Sequence, residues 1–410
     1  MNCRFIPWLA ARVPGLALAC TLLAVPAAQA QALPAATAQA DGAAAPRVFP
    51  VAPVRKPDGS PWQLGYLQGG DYTDYPVILA AIVRGLHTLG WIPDPSLPDP
   101  KTHTSRQIWD HLVRNVKSDF VRFVPDGYYT AGNFDASLRG PTREALSQRL
   151  AERRDIDLMI AMGTWAGQDM AAPAMTPVPT IVASTSDPIA SRIVASAEDS
   201  GRDHIHAKVE PDRYQGQVRL FHDIVPFKTL GVVYEDSAEG RTFGGVDAVE
   251  QMARALGFQV RACHAPFNNV TPEQARQSAQ DCYARIAPQV DAVYITVHRG
   301  VTGQSLPAIV DSLVQARVPS FSMLGSDEVR QGVLMSMAQA DYLPVGLFHA
   351  ETIARIFHGA SPRELSQIWI SPAEIALNLK TAELIGFDPP IDILLSSDEV
   401  YDGQGRDIAD

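Results

Sequence analysis

The chain has 410 residues, 46% of them hydrophobic and 19% charged, with a formal net charge of −11. That length exceeds one average domain and that composition supports large buried cores, so two lobes plus extra segments are expected. The acidic balance argues against a nucleic-acid backbone as partner and leaves a small solute or another protein.

Residues 1–30 have the pattern of a secretory leader. Arg4 and Arg12 supply positive charge, Leu16 to Val25 form a short apolar run, and Ala28-Gln29-Ala30 is an A-x-A cleavage site that would leave Gln31 first in the mature chain. The run is too short for a membrane span, with Pro14, Gly15 and Pro26 around it, and no later stretch reaches ~18 apolar residues. Ala17-Leu18-Ala19-Cys20 resembles a lipoprotein processing site but lies inside the apolar run, which disfavours lipidation at Cys20. Residues 31–58, rich in Ala, Pro and Gln without apolar periodicity, read as a disordered linker.

From Trp62 onward a short apolar strand, a loop of small residues and an amphipathic helix recur. The expected strands are 63–68, 121–124, 157–162 and 180–183, then 230–234, 258–262, 292–297, 320–324 and 333–337. Helix starts are marked by the capping box Thr271-Pro272-Glu273-Gln274, by Asp187-Pro188, and by Ser371-Pro372-Ala373-Glu374. Gly90, Gly257 and Gly386 stand where helices should stop. Strands alternating with helices imply parallel sheets covered on both faces. Polar residues at 201–209 break the series, so the expected fold is α/β, with two doubly wound parallel-sheet lobes and a ligand cleft between them. In such sheets the site lies beyond the carboxyl ends of the strands.

The loops at those ends therefore hold the candidate binding residues. The first, Gly69 to Tyr75, offers Gly70 for close backbone approach, Asp71, and the ring of Tyr72, or is an ordinary loop with a capping Asp. Thr164 and Trp165 follow the third strand, the indole being either a stacking platform or a core aromatic. Ser186 and Asp187 follow the fourth and offer a hydroxyl and a carboxylate, with helix capping as the plain role for Asp187. The second series contributes Glu235 and Ser237, His298 and Arg299, and Ser326. Arg299 is placed to clamp a carboxylate, or is simply solvated or ion-paired.

Once the leader is removed, Cys263 and Cys282 remain, either as a disulfide or as two buried thiols. His204 and His206 lack an obvious third ligand, so neither a metal nor a cofactor is expected. No G-x-G-x-x-G, Walker A, H-E-x-x-H or G-x-S-x-G motif is present, and nothing in the sequence asks for catalysis.

From about Gln63 to Val400 the chain resembles the periplasmic substrate-binding proteins of ABC importers related to tryptophan-type binders, which have the type I periplasmic-binding fold. The pieces that carry the resemblance are residues 157–166, 183–188, 230–234, 340–346 and 378–386. It implies a periplasmic, monomeric protein that holds a small solute in its cleft and delivers it to an inner-membrane permease. The binding positions it implies are Gly70, Asp71, Thr164, Trp165, Ser186 and Asp187, and from the other lobe Glu235, Ser237, His298, Ser326 and Asp341. The layout expected is lobe I over 59–203 with a return near 342–362, lobe II over 204–341, and a segment 363–410 across both. Two departures stand out. His298 occupies a loop where relatives often carry an Asp, and Gly240-Arg241 replace an Asn-Ser pair. Both point away from an ammonium and toward a carboxylate with an apolar or aromatic body. A ligand sensor docked on a membrane signalling protein is the alternative, with an exported enzyme behind it.

Overall fold

The computed structural model describes residues 47–337, 342–370, 374–402 and 407. The leader, its cleavage site, most of the linker and Asp341 lie outside the described residues. Among them, twelve strands form two sheets. The first contains β1 (Trp62–Gln68), β2 (Val121–Thr130), β3 (Leu158–Met162), β4 (Thr180–Ala183) and β5 (Ile205–Ala207), in the order β2-β1-β3-β4-β5. Every pairing in it is parallel.

The second sheet contains β6 (Thr229–Tyr234), β7 (Gln259–His264), β8 (Ala292–Ile295), β9 (Ser320–Ser322), β10 (Met335–Met337), β11 (Ile375–Asn378) and β12 (Glu399–Tyr401). Their order is β12-β11-β10-β9-β8-β6-β7. Only the β10–β11 pair is antiparallel. Parallel strands need crossovers, and the crossover helices bury both sheet faces, which is why β3 and β4 are buried at every position and, Thr180 apart, apolar.

The structure moves several boundaries. The first lobe does not end at residue 203, because Ile205–Ala207 pairs with β4 as a fifth strand. β2 runs to Thr130 although Pro125 and Gly127 interrupt it. It is an edge strand, where a missing N–H is tolerated, and its register against β1 shifts between Leu64 and Tyr66 to absorb the extra residues. Asp187-Pro188 opens a turn and not a helix. Asp187 Oδ1 accepts from Ile189 and Ala190 N–H, and Arg192 then takes a φ of 59°, which no α-helix continues. The start expected at Ser371 lies in residues 371–373, outside the described residues; strand β11 and the helix Leu379–Ile385, capped by Asn378, follow.

Residues 48–58 are also not a free linker. Trp91 Nε1 donates to Val51 O at 2.8 Å and Trp62 Nε1 to Val54 O at 2.9 Å, while Lys56 pairs with Asp157 at 2.9 Å. The indole N–H groups of buried Trp91 and half-buried Trp62 need acceptors, and this stretch supplies them.

Chain connectivity ties the lobes together. The helix Leu343–Phe357 returns to the first lobe and lies on the helix Asp74–Thr88. A Cβ on Gly346 would come within 2.3 Å of the Ala81 carbonyl carbon, so glycine sets how near the two helices approach. The chain then runs beside the earlier crossing. Val209 N–H donates to Gln367 O at 2.8 Å and Trp369 N–H to Val209 O at 2.9 Å. In the second lobe, Cys263 on β7 and Cys282 on the helix Pro272–Ile286 form a disulfide with a Cα separation of 5.6 Å.

Candidate functional site

A cavity of about 120 Å³ lies where the carboxyl ends of both sheets face each other. At ~10–15 Å³ per water-sized group it has room for on the order of ten such groups, the scale of a small organic solute. Its middle is apolar, lined by Ile78, Val297, Met323, Leu324 and Val345. Its ends are polar and aromatic.

One end is built around Arg299, in the loop after β8. Its Cζ lies 3.4 Å from the ring centre of Phe134 in the opposite lobe and 5.1 Å from that of Phe267, with Trp165 and Phe243 next to it. Nη1 donates to Asn268 Oδ1 at 2.6 Å, whereas Nη2 is buried without a partner among the described residues. Burial lowers the guanidinium pKa, opposed by Glu239, and the cation is held by ring faces and one amide. Gly163, at φ 85°, is what admits the neighbouring ring, since a Cβ there would fall 1.9 Å from the Tyr75 hydroxyl.

The other end gathers side chains from the hinge and the returning helix. Lys208 Nζ and Arg213 Nη1 both donate to Glu210 Oε2, at 2.6 and 2.8 Å. Tyr214 donates to Ser186 O at 3.0 Å and closes the wall. Burial lowers the Lys208 pKa, with Glu210 pulling the other way. Asp74 and Tyr342 form the side wall, and burial raises the pKa of the Asp74 carboxyl. An adjoining cavity shares Asp74 and Tyr342 with the first and reaches Glu328, whose carboxyl burial pushes up to about 8.

Of the residues expected to bind, Tyr72, Thr164, Ser186 and Arg299 line the cavity. The other described ones are not part of its lining. Gly70 is packed on Phe134, with 2.5 Å to where a Cβ would sit, and Asp71 accepts from Gln68 Nε2 at 2.8 Å. Trp165 is 7% exposed, packed edge-on to Phe134, and its Nε1 donates to Glu239 of the second lobe, so it is a core aromatic and an interlobe contact, not a stacking platform. Asp187 caps its own turn.

In the second lobe, Glu235 accepts from the Phe267 and Asn268 N–H groups, each at 2.7 Å, and from Asn268 Nδ2 and Ser237 Oγ. Desolvation raises its pKa, but these bonds outweigh it and leave the carboxylate below its ordinary range. Ser237 caps the helix Ala238–Phe243. His298 is fully buried between Gly300 N–H, which donates to Nδ1, and Ala265 O, which accepts from Nε2, both at 2.9 Å. Desolvation lowers its pKa to about 4, so it is a neutral pin for the loop that carries Arg299. Ser326 faces the adjoining cavity, and Asp341 lies outside the described residues.

Phe134, Lys208, Arg213 and His349 line the site without having been among the expected residues. The polar break at 201–209, which contains Lys208 and lies just before Arg213, was the one signal available for them. His204 and His206 each place Nε2 near a backbone carbonyl, of Met170 and Ser366, and no group of metal-binding side chains occurs among the described residues. No helix among them is long and apolar enough to cross a membrane.

No curated protein sequence matches the chain. Among solved structures, an ABC domain in complex with L-Trp from Streptococcus pneumonia aligns at 21% identity with a TM-score of 0.63, over 83% of this chain and 100% of that one. A conserved domain protein from Vibrio cholerae aligns at 18% identity and 0.63, over 83% and 99%. The ligand-free, open structure of a substrate binding protein with adhesive properties from Clostridium difficile aligns at 19% and 0.52, over 80% and 96%. These likenesses show the fold. The family model described as ABC transporter substrate binding protein matches residues 133–401, about two thirds of the chain, which takes in every strand from β3 onward, so the chain belongs to that family of binding proteins, not to an enzyme family.

Proposed function

We propose that this protein is the exported solute-binding component of an ABC importer, a monomer that closes on a small carboxylate-bearing organic molecule and hands it to an inner-membrane permease. The observation that carries the ligand class is Arg299. A buried guanidinium with Nη2 unpaired at a cavity wall is costly unless an anion completes it, and a carboxylate matches its planar fork. The apolar middle of the cavity suits an aliphatic or aromatic body. Lys208 and Arg213 add positive charge that Glu210 offsets only in part.

The test is a thermal-shift screen of the mature protein against monocarboxylates, dicarboxylates, amino acids, sugars and nucleosides. A ligand at 100 times its Kd stabilises by about 2.7 kcal/mol. Shifts confined to carboxylates support the reading, and shifts from sugars or nucleosides alone refute it.

A further inference from the structure

Arg299 is not the only orphan on the cavity wall. Tyr72 Oη, Thr185 Oγ1 and both ring nitrogens of His349 are buried and have no hydrogen-bond partner among the described residues. Each such group costs about 1–3 kcal/mol when left unmet. Their gathering around one space means that the missing partner comes from that space.

His349 and Thr185 belong to the same region of the first lobe. Thr185 lies just beyond the carboxyl end of β4, and the helix bearing His349 packs against β4. His206 of the adjacent β5 and Lys208 beyond it both act on the His349 ring. Burial first, then these two neighbours, pulls the His349 pKa well down, so the ring is neutral. A neutral imidazole has one donor and one acceptor, and a threonine hydroxyl has both. A carboxylate cannot donate to the ring's bare nitrogen, and an ammonium cannot accept from the Thr185 hydroxyl. A hydroxyl does both.

We infer that the solute carries a neutral hydroxyl besides its carboxylate, and that His349 and Thr185 form the subsite that receives it. This rests on the carboxylate reading of Arg299 and adds a second point of recognition across the apolar middle of the cavity. Selection then works by omission. An acid of the same shape without the hydroxyl leaves the bare ring nitrogen unmet, and an acid with a second carboxylate there has no proton to give it.

The experiment is calorimetric titration of the mature protein with three acids of one shape: 3-phenylpropanoate, 3-(4-hydroxyphenyl)propanoate and 3-(4-carboxyphenyl)propanoate. The hydroxylated acid is expected to bind about tenfold or more tighter than either of the others. His349→Phe and, separately, Thr185→Val should each bring the ratio of hydroxylated to plain acid toward one, with near-ultraviolet circular dichroism confirming that each variant is folded. Two variants are used so that misfolding of one leaves the other to decide. Equal binding of the three acids, a preference for the diacid, or a preference that survives in the folded variants overturns the subsite alone. Binding of none of the three overturns the carboxylate reading and the subsite with it.

Discussion

Trp165 of the first lobe donates its indole N–H to Glu239 of the second, and the other oxygen of the same carboxylate accepts from Asn268 Nδ2 at 2.7 Å. Asn268 in turn accepts from Arg299. Arg299, the proposed carboxylate clamp, is thus joined through two side chains to a bond that bridges the two lobes. Trp165→Phe keeps a ring in the core and removes the donor. It should weaken solute binding about three- to tenfold, the worth of one hydrogen bond, and enlarge the unliganded protein in small-angle scattering. An unchanged affinity and radius would mean that the bond does not contribute to closure. Trp165→Ala is a different experiment, expected to cost about 3–5 kcal/mol of stability because the side chain is core.

Arg299→Met separates binding from folding. Loss of the guanidinium should reduce affinity for carboxylates about 100-fold, the scale of a charge-assisted pair. The melting temperature of the unliganded protein should hold or rise, since the variant removes a buried cation with an unpaired nitrogen. Titration and thermal melts check the two halves. Equal loss across neutral and acidic ligands would remove Arg299 from the role of carboxylate clamp.

Glu328 makes stability depend on pH. Its carboxyl titrates at about 8 in the fold against an ordinary 4.5. Between those values the unfolded chain has lost the proton that the folded one keeps, so this contribution is complete below pH 4.5, declines as pH rises, and is gone above 8. Glu328→Gln should therefore be more stable than the parent at pH 8.5 by about 2–4 kcal/mol, with little difference at pH 4.5. Denaturant melts at both pH values decide, and parallel curves would show that the carboxyl is not perturbed.

The disulfide spans 19 residues of sequence within the second lobe, and neither cysteine lines the cavity. The double variant Cys263→Ala, Cys282→Ala should lose about 3 kcal/mol while solute affinity stays within twofold. A large change in affinity would show that the β7 side of the lobe takes part in binding.

The sheets were legible because parallel strands buried on both faces are written as apolar runs between turn residues, as at 158–162 and 229–234. β5, β11 and β12 were not, since Ile205-His206-Ala207 and Glu399-Val400-Tyr401 are too short and too mixed to carry a period, and Ile375–Asn378 follows a Ser-Pro-Ala-Glu run that reads as a helix start. Within the site, the loops directly after strands pointed to Tyr72, Thr164, Ser186 and Arg299. Phe134 was hidden because Pro125 and Gly127 read as the end of β2, when the edge position lets the strand run on and carry the next loop into the cleft. His349 sits on an apolar helix like any core histidine. Only the return of that helix to the first lobe gives its unpaired nitrogens a meaning.

That return also dictates how the molecule is assembled. The core of the first lobe includes Ala350, Ile353 and Phe357 alongside Leu79 and Ile82, so it stays open on one side until more than three quarters of the chain has been made. The second sheet waits longer still, for β12 at Glu399–Tyr401. Neither lobe can be obtained by cutting the gene at the hinge. A stop codon anywhere before residue 357 yields two unfinished cores instead of one sound half, and the protein is made whole or not at all.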